Sequence, residues 1–367
     1  MKIGIIFGTR PEAIKIAPLY HYFKNKNVDV TLIFTGQHEG LLDSALRTFK
    51  MKPHFELKIE RVTHSLSELT AQLVVEIEKL LSKENFDYIL VQGDTTSAFI
   101  GGLIAFYHRI PVGHVEAGLR TNHIYSPFPE EVNRRIISQF ATHHFAPTEK
   151  TAAKLKKELH ENSKIFITGN TVVDAIFLNK ALNSNTFISI ENKFDLKNKT
   201  YLLLTMHRRE SILAGVENVL NAVEKFCENH GSIEVFYPVH PNPLLREIVK
   251  KNQKKYHRIN FIEPLDYLEL SVFLKNCLFV LTDSGGIQEE APSYGKYSLV
   301  LRNHTEREEI IESGLGKLIG VHEDKVLAEM EELYEKNGNS CIMTNPYGDG
   351  HASEKILDAI KDYFNNS

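Results

Sequence analysis

The segment Leu278-Phe-Val-Leu-Thr-Asp-Ser-Gly-Gly-Ile-Gln-Glu-Glu290 decides the fold of this chain. Its apolar beginning, Leu278–Thr282, is typical of a buried strand, and a turn then leads into a segment that can begin a helix. Unpaired backbone N–H groups at such a helix start can bind a phosphate, because glycine places no Cβ atom in the way. Ser284, Gly285 and Gly286 are therefore candidate phosphate ligands, and Glu290 is a candidate acceptor for ribose hydroxyls. The alternative is an ordinary strand–turn–helix joint capped by Ser284.

The same alternation of strand and helix runs through the whole chain. The first half contains six predicted strands: Lys2–Gly8, Val28–Thr35, Tyr88–Gln92, Val112–Glu116, His143–Ala146 and Lys164–Thr168. The second half contains five: Tyr201–Met206, Ile233–Pro238, Ile259–Ile262, Leu278–Thr282 and Tyr297–Leu301. Helical patterns between them include Leu66–Ser82, Glu130–Phe140, Glu217–Asn229 and Asp324–Lys336. Continuous apolar strands separated by helices predict an α/β protein with parallel, doubly wound sheets.

The length of 367 residues suits two domains. A polar stretch rich in Asn and Lys, Leu182–Thr200, separates the two sets of strands and is interpreted as an insertion or linker. We place the domain break near Gly169-Asn170.

Composition excludes several classes of function. The net charge of −4 gives no indication of nucleic-acid or membrane-surface binding. Three widely separated cysteines, with no CxxC pair, are typical of reduced thiols rather than of a disulfide framework or structural zinc. The apolar N-terminal run is too short for a secretory signal, and no run reaches the roughly 18 residues of a membrane span. We therefore expect a cytoplasmic protein.

The usual cofactor motifs are missing from the sequence. The turn after the first predicted strand reads Gly8-Thr-Arg-Pro-Glu12 rather than GxGxxG, and there is no Walker A motif. No HExxH motif or His-rich tract indicates a metal site. We expect neither a dinucleotide cofactor, nor a P-loop nucleotide, nor a metal.

Polar side chains follow the predicted strands at the edge where open parallel sheets bind ligands. In the first half they are Arg10 and Lys15, Asp94, and Glu116, and in the second half His207 and the turn after Thr282. Together they predict one cleft between two domains, with phosphate bound from the second half. Carboxylates do not help to hold a phosphate, so their expected use is proton transfer to or from a neutral part of the ligand.

Each of these residues also has a purely structural interpretation. Asp94 could cap a helix, Glu116 could pair with Arg120, and His207 could be a satisfied structural histidine beside a solvated Arg208-Arg209 cluster. Glu130, which follows Pro129 in the first turn of a predicted helix, is a candidate catalytic acid. The helix dipole alone would also favour a carboxylate there.

Eight motifs of the chain resemble, in order, those of the bacterial non-hydrolysing UDP-N-acetylglucosamine 2-epimerases. They cover nearly the whole sequence and are Phe7-Gly-Thr-Arg-Pro-Glu-Ala-Ile-Lys15, Gly93-Asp-Thr-Thr96, His114-Val-Glu-Ala-Gly-Leu-Arg120, Pro127-Phe-Pro-Glu-Glu-Val-Asn-Arg134, Thr168-Gly-Asn-Thr171, His207-Arg-Arg-Glu210, Asp283-Ser-Gly-Gly-Ile-Gln-Glu-Glu290 and Asn345-Pro-Tyr-Gly-Asp-Gly350.

The resemblance implies a GT-B-like fold of two Rossmann-like domains facing a cleft. Residues 1–169, joined by the C-terminal helix at 352–367, would form one domain, and residues 170–351 the UDP-binding domain. It further implies a cytoplasmic homodimer without a cofactor that makes UDP-N-acetylmannosamine for polysaccharide biosynthesis. UDP would leave C1 while the C2 proton is removed, giving 2-acetamidoglucal, and UDP would then add back with a proton on the opposite face.

Carried over to this chain, the family pattern assigns two sets of residues. The catalytic set is Asp94, Glu116, Glu130 and His207, with His207 serving the leaving diphosphate. The set that would hold the UDP-sugar is Arg10, Lys15, Ser284, Gly285, Gly286, Glu290 and Arg307, with Leu265 and Leu270 standing where the family often has Gln and an aromatic residue near the uracil.

Bacterial members of the family also bind a second UDP-sugar as an activator. Gln37 and His38 fit that site, and His64 is a further candidate. However, Gly40, Thr63 and His64 stand where long polar side chains, including an Arg, are expected. The sequence therefore predicts weak activation or none.

Three other interpretations remain open on the sequence. A hydrolysing relative would release free N-acetylmannosamine and UDP, and a close relative could act on a modified UDP-HexNAc. A protein of another class, a GT-B glycosyltransferase or a silent sugar-nucleotide sensor, is the third possibility, although the three carboxylates argue against a silent sensor.

Overall fold

A computed structural model of the chain shows two compact units, each built on one parallel sheet. The structure describes residues 1–37, 42–60, 62–63, 65–121, 123–336 and 344–366, without the side chains of residues 209, 210 and 214. The first unit comprises Met1–Leu182 and Tyr347–Ser367, and the second comprises Asn183–Pro346.

The first unit alternates strands and helices from its first residues. Its strands are β1 (Lys2–Phe7), β2 (Asp29–Phe34), β3 (Phe55–Glu56), β4 (Tyr88–Gln92), β5 (Val112–Val115), β6 (His143–Ala146) and β7 (Lys164–Ile167). Its helices are α1 (Arg10–Asn25), α2 (Leu42–Thr48), α3 (Leu66–Leu81), α4 (Thr96–Tyr107), α5 (Glu130–Phe140), α6 (Glu149–Glu158) and α7 (Thr171–Leu182), with the last helix of the chain, at 352–365, added to them.

The second unit repeats the pattern. Its strands are β8 (Thr200–Thr205), β9 (Ile233–Pro238), β10 (Ile259–Ile262), β11 (Val280–Thr282), β12 (Ser298–Val300) and β13 (Gly316–Leu318). Its helices are α8 (Ser184–Lys193), α9 (Arg209–Asn229), α10 (Pro243–Asn252), α11 (Tyr267–Asn276), α12 (Gly285–Glu290), α13 (Glu308–Glu312) and α14 (Glu323–Glu335); the final helix, α15 (Ala352–Asn365), belongs to the first unit. Helix α9 is interrupted by non-helical backbone at Gly215.

Both sheets reverse their winding direction near the middle. The strand order is β3-β2-β1-β4-β5-β6-β7 in the first unit and β10-β9-β8-β11-β12-β13 in the second, and all pairs are parallel. The reversals fall between β1 and β4 and between β8 and β11, which are the points where open α/β sheets bind ligands. The predicted class of two Rossmann-like, doubly wound α/β domains is confirmed.

Two strands were not predicted from the sequence. Strands β3 and β13 lie at sheet edges and contain two and three residues. An edge strand is buried on fewer sides, so it does not need the continuous apolar run that marks a central strand.

The chain divides later than the predicted break at Gly169-Asn170. Helix α7 lies against α1 in the first unit, and α15 lies against both α1 and α7. The carboxylate of Asp174 accepts hydrogen bonds from the backbone N–H groups of Ala352 (3.3 Å) and Ser353 (2.8 Å), which fixes the first turn of α15 onto α7.

The interpretation of Leu182–Thr200 as an insertion or linker is wrong. Helix α8 occupies the middle of this segment, and Phe187, Ile190 and Leu196 are buried in the same apolar cluster as Tyr201 of β8. Apart from the buried Glu191, the polar residues of α8 lie on its exposed face. Among the described residues, no helix combines the length and apolarity that a membrane crossing requires.

We predict that Phe187→Ala strongly destabilises the second unit, because Phe187 is only 4% exposed. Removing a buried aromatic ring costs about 3–5 kcal/mol of unfolding free energy. Ile188→Ala is the matched control on the same helix, since Ile188 is 51% exposed and its loss should cost no more than about 0.5 kcal/mol. Calorimetry should resolve the lowered transition, and equal transition temperatures for the two variants would contradict this packing.

Candidate active site

The first unit brings two turns into contact at the reversal point of its sheet. One turn follows β1 and carries Gly8, Thr9 and Arg10, and the other follows β4 and carries Asp94. A Cβ atom at Gly8 would overlap the hydroxyl oxygens of Ser97 and Thr35, so only glycine permits this close packing.

Glu116 follows β5 in a strained backbone conformation. Its φ of 65° lies in the left-handed region, which non-glycine residues rarely adopt except where the surroundings enforce it. The Lys15 Nζ pairs with its Oε2 at 2.5 Å, and the Gln92 side-chain amide donates to the same oxygen at 2.7 Å. The ammonium and the amide stabilise an ionised carboxylate at this position.

The alternative pairing of Glu116 with Arg120 is wrong. Arg120 turns away, donating to Glu158 Oε2 at 2.8 Å and to the Ser138 hydroxyl at 3.0 Å. The cation that pairs with Glu116 is therefore Lys15, a residue far away in sequence.

Asp94 lies in a turn that is held from two further elements. The Arg134 Nη2 lies 2.8 Å from its Oδ2, and the Asn133 amide donates to its backbone oxygen at 2.9 Å. The His114 Nε2 donates to the oxygen of Gly93 at 2.7 Å, and burial lowers the pKa of His114 to about 3, which keeps the ring neutral. Asp94 does not cap the next helix, because the Thr95 hydroxyl fills that role by accepting the N–H of Ala98.

Glu130 begins α5 as predicted and is half-buried. Burial and the nearby charge of Asp94 raise the pKa of Glu130, although Arg134 partly offsets them. Glu130 thus binds a proton more readily than an ordinary glutamate, whereas Asp94 and Glu116 each face a cation. The first unit therefore places the three predicted carboxylates in different electrostatic settings at one edge of its sheet.

Arg10 and the proposed activator residues have less defined surroundings. Arg10 is partly exposed at the start of α1 and makes no hydrogen bond or ion pair with any residue that the structure describes. The Gln37 side-chain oxygen accepts the backbone N–H of Ser97 at 3.1 Å and its hydroxyl at 2.7 Å. His38 and His64 lie outside the described residues.

In the second unit a buried Asp283 organises the turn after β8. Its carboxylate accepts the backbone N–H groups of His207 and Arg208, and its Oδ1 lies 3.0 Å from the His207 Nδ1. Burial alone would raise the pKa of Asp283, but the hydrogen bonds and charge of His207 and the backbone N–H groups lower it below its usual value. The contact fixes the orientation of the His207 ring through one of its two nitrogens. A purely structural role for this histidine is compatible with the same contact.

The predicted phosphate ligands lie together at the start of α12. Ser284 occupies the N-cap position, but its hydroxyl makes no capping bond to the described backbone. A Cβ atom at Gly285 would approach the Arg307 Cζ to 3.0 Å, so the guanidinium lies directly over this glycine. Arg307 is held in place by Glu289 at 2.9 Å and by Glu306.

The remaining predicted ligands of the second unit pack at its apolar interior. Leu265 and Leu270 lie partly buried against a cluster that includes Ile287 of α12, and Leu270 belongs to α11. Glu290, at the end of α12, is buried. Glu290 thus shares α12 with Gly285, and Leu265 and Leu270 pack against the apolar cluster that includes Ile287 of the same helix.

Four residues with defined contacts in these sites were missed as individual sequence predictions: Glu12, Gln92, Arg134 and Asp283. All but Gln92 lie inside the recognised motifs, but each acts on another residue rather than on a ligand position. Their buried polar contacts are the signal that identifies them, and the sequence does not display those contacts.

Comparison with known proteins identifies the family of the chain. A family model described as UDP-N-acetylglucosamine 2-epimerase matches residues 21–361. The UDP-N-acetylglucosamine 2-epimerase of Yersinia pestis is 42% identical over 372 residues, covering 99% of this chain and 99% of the relative. That of Bacillus subtilis is 41% identical over 367 residues, covering 98% and 95%.

Solved structures of similar proteins point to the same family. The UDP-GlcNAc 2-epimerase of Neisseria meningitidis, bound to UDP-GlcNAc, matches with a TM-score of 0.90 at 37% identity, covering 99% of this chain and 100% of that chain. The S. aureus MnaA–UDP structure matches with a TM-score of 0.87 at 43% identity, covering 99% and 97%. Because the family model and these relatives span nearly the whole chain, the protein belongs to the UDP-N-acetylglucosamine 2-epimerase family.

Proposed function

We propose that this protein reversibly converts UDP-N-acetylglucosamine to UDP-N-acetylmannosamine without net hydrolysis, through 2-acetamidoglucal. Membership of the family supports the epimerase activity. The observation that carries the finer proposal is the set of three carboxylates at the edge of the first sheet, with Asp94 and Glu116 each facing a cation while the pKa of Glu130 is raised. Such a set can both accept and return a proton.

The two stages place different demands on the protein. In the first, a base takes the C2 proton, the C1–C2 double bond forms, and the C1–O bond breaks with its electron pair leaving on UDP. In the second, a UDP oxygen adds to C1 while a proton is delivered to the opposite face of C2. Carboxylates in different electrostatic settings meet these demands, and we assign the proton transfers to Asp94, Glu116 and Glu130.

The second unit suits the leaving diphosphate. We assign four donors to the diphosphate. They are Arg307, which lies above Gly285, the ring nitrogen of His207 that does not face Asp283, Ser284 and Gly286. Charged donors fixed in advance stabilise the negative charge that develops on the leaving oxygen. Arg10 and Lys15, on the first helix, are assigned to the UDP-sugar, and Leu265, Leu270 and Glu290 are assigned to the nucleoside.

Proton NMR of UDP-N-acetylglucosamine with the protein in D2O tests the proposal. We expect an intact UDP-sugar of both configurations, with deuterium at C2. The assay includes EDTA, since no three His, Cys, Asp or Glu side chains group to hold a metal among the described residues. Free N-acetylmannosamine would instead identify a hydrolysing enzyme, and no turnover without an acceptor would point to a glycosyltransferase.

We predict that Asp94→Asn, Glu116→Gln and Glu130→Gln each lower kcat by about two orders of magnitude or more, because each removes an acid–base group. The matched control is Glu76→Gln on α3, where Glu76 pairs only with Lys79 among the described side chains. Stopped assays that follow the UDP-sugar ratio measure kcat, and circular dichroism checks the fold. Wild-type kcat in all three folded variants would refute the assignment.

A separate prediction concerns activation by a second UDP-sugar. The Thr63 hydroxyl donates to the Glu68 carboxylate at 2.7 Å, and the Gln37 oxygen is bonded to Ser97. A diphosphate needs charged donors and would be repelled by Glu68. We therefore expect a hyperbolic rate curve and a reverse reaction that starts from UDP-N-acetylmannosamine alone. A sigmoidal curve, or a reverse reaction that waits for added UDP-N-acetylglucosamine, would show a working activator site.

The proposal also includes the setting of the enzyme. We propose a cytoplasmic homodimer that supplies UDP-N-acetylmannosamine for polysaccharide synthesis, and the resemblance to the family supports it. Cys227 and Cys277 are free and buried, and burial raises the pKa of each thiol to about 12, which agrees with inert, reduced cysteines.

A further inference from the structure

A fourth carboxylate, that of Glu12, lies beneath the turn that carries Asp94. Glu12 is only 2% exposed, and the contacts of both its carboxylate oxygens are defined. Its Oε2 accepts the backbone N–H of Gly8 at 3.0 Å and the Thr9 hydroxyl at 2.7 Å, while its Oε1 accepts the Thr95 hydroxyl at 2.7 Å.

These contacts join the two turns at the reversal point of the first sheet. Gly8 and Thr9 follow β1, and Thr95 follows β4, which pairs directly with β1. Thr95 is the residue after Asp94, and its hydroxyl also accepts the N–H of Ala98 at the start of α4. A displacement of Glu12 would therefore pass to the Asp94 backbone through a single residue.

A carboxylate at this position is expensive for the fold. Burial, reinforced by the charge of Asp94, raises the pKa of Glu12 to about 7, despite the three hydrogen bonds that lower it. An apolar side chain would avoid this cost, but it would leave a buried N–H and two hydroxyl groups without an acceptor. The contacts of Glu12 thus serve the geometry of the turns rather than simple stability.

Resting on the proposed function, we propose that Glu12 is a positioning residue for catalysis, which holds the turn after β4 so that Asp94 is aligned with the reacting sugar. Its two oxygens lock Thr95 to Gly8 and Thr9. The other supports of the Asp94 turn come from His114, Asn133 and Arg134, on the opposite side of β4 from β1.

The test compares Glu12→Leu with Glu12→Gln. Leucine removes every acceptor, and we expect kcat to fall about tenfold to a hundredfold, because displacement of a reacting group by about 1 Å costs that much. Glutamine can still accept from Gly8 and Thr9 through its oxygen while its amide donates to the Thr95 hydroxyl. We therefore expect Glu12→Gln to restore most of kcat, and UDP affinity, measured by calorimetry, to change little in either variant.

A double variant separates positioning from general damage. If Glu12 acts through Asp94, Glu12→Leu should lower the remaining C2 deuterium exchange of Asp94→Asn by no more than about twofold. Two results would overturn the proposal. One is a double variant whose exchange rate falls by the product of the two single-variant losses, and the other is a wild-type kcat for folded Glu12→Leu. Failure of wild-type protein to epimerise UDP-N-acetylglucosamine would instead refute the proposed function.

Thr95→Val tests the same link from its other end if Glu12→Leu does not fold. Valine removes the hydroxyl that reaches Glu12, so we expect a loss of kcat of about tenfold. It also removes a helix cap, and Thr148→Val is the matched control, since Thr148 caps α6 of the same unit by accepting the N–H of Thr151. Equal kcat values for Thr95→Val and Thr148→Val would overturn the proposal.

Discussion

The burial of charged groups is the constraint on which both sites depend. A carboxylate removed from water is stable only when fixed donors replace its hydration, and the donors then determine where it can lie. Glu116 is fixed by Lys15 and Gln92, and Asp283 by two backbone N–H groups. The positions of these side chains thus follow from the need to satisfy their charges.

The two units solve this problem with different chemistry. In the first, Asp94 and Glu116 each pair with a cation, whereas burial raises the pKa of Glu130. In the second, the carboxylates of Asp283, Glu289 and Glu306 contact His207, Arg307 and Arg208, respectively, and so orient one imidazole and two guanidinium groups. In our proposal, the same fold therefore supports proton transfer in one unit and diphosphate binding in the other.

The sequence predicted the central strands and the polar turns that follow them because those features are local. Helix α5 was predicted with its observed bounds, and the turns after β1, β4, β8 and β11 were recognised by their polar residues. Contacts between distant residues could not be read in this way. Arg120 seemed a natural partner for Glu116, four residues away, but the fold supplies Lys15, and the periodic Phe187 and Ile190 were hidden among the polar residues of α8.

The position of α15 has a consequence for the synthesis of the protein. The second unit is one continuous segment, whereas the first is completed only by the last residues of the chain. Until these residues leave the ribosome, α1 and α7 lack their contact with α15. In the folded unit, Ile356, Leu357 and Ile360 of α15 are buried. The nascent first unit must therefore wait with an apolar surface exposed while the second unit is made and can already fold, so the domain that begins first is finished last.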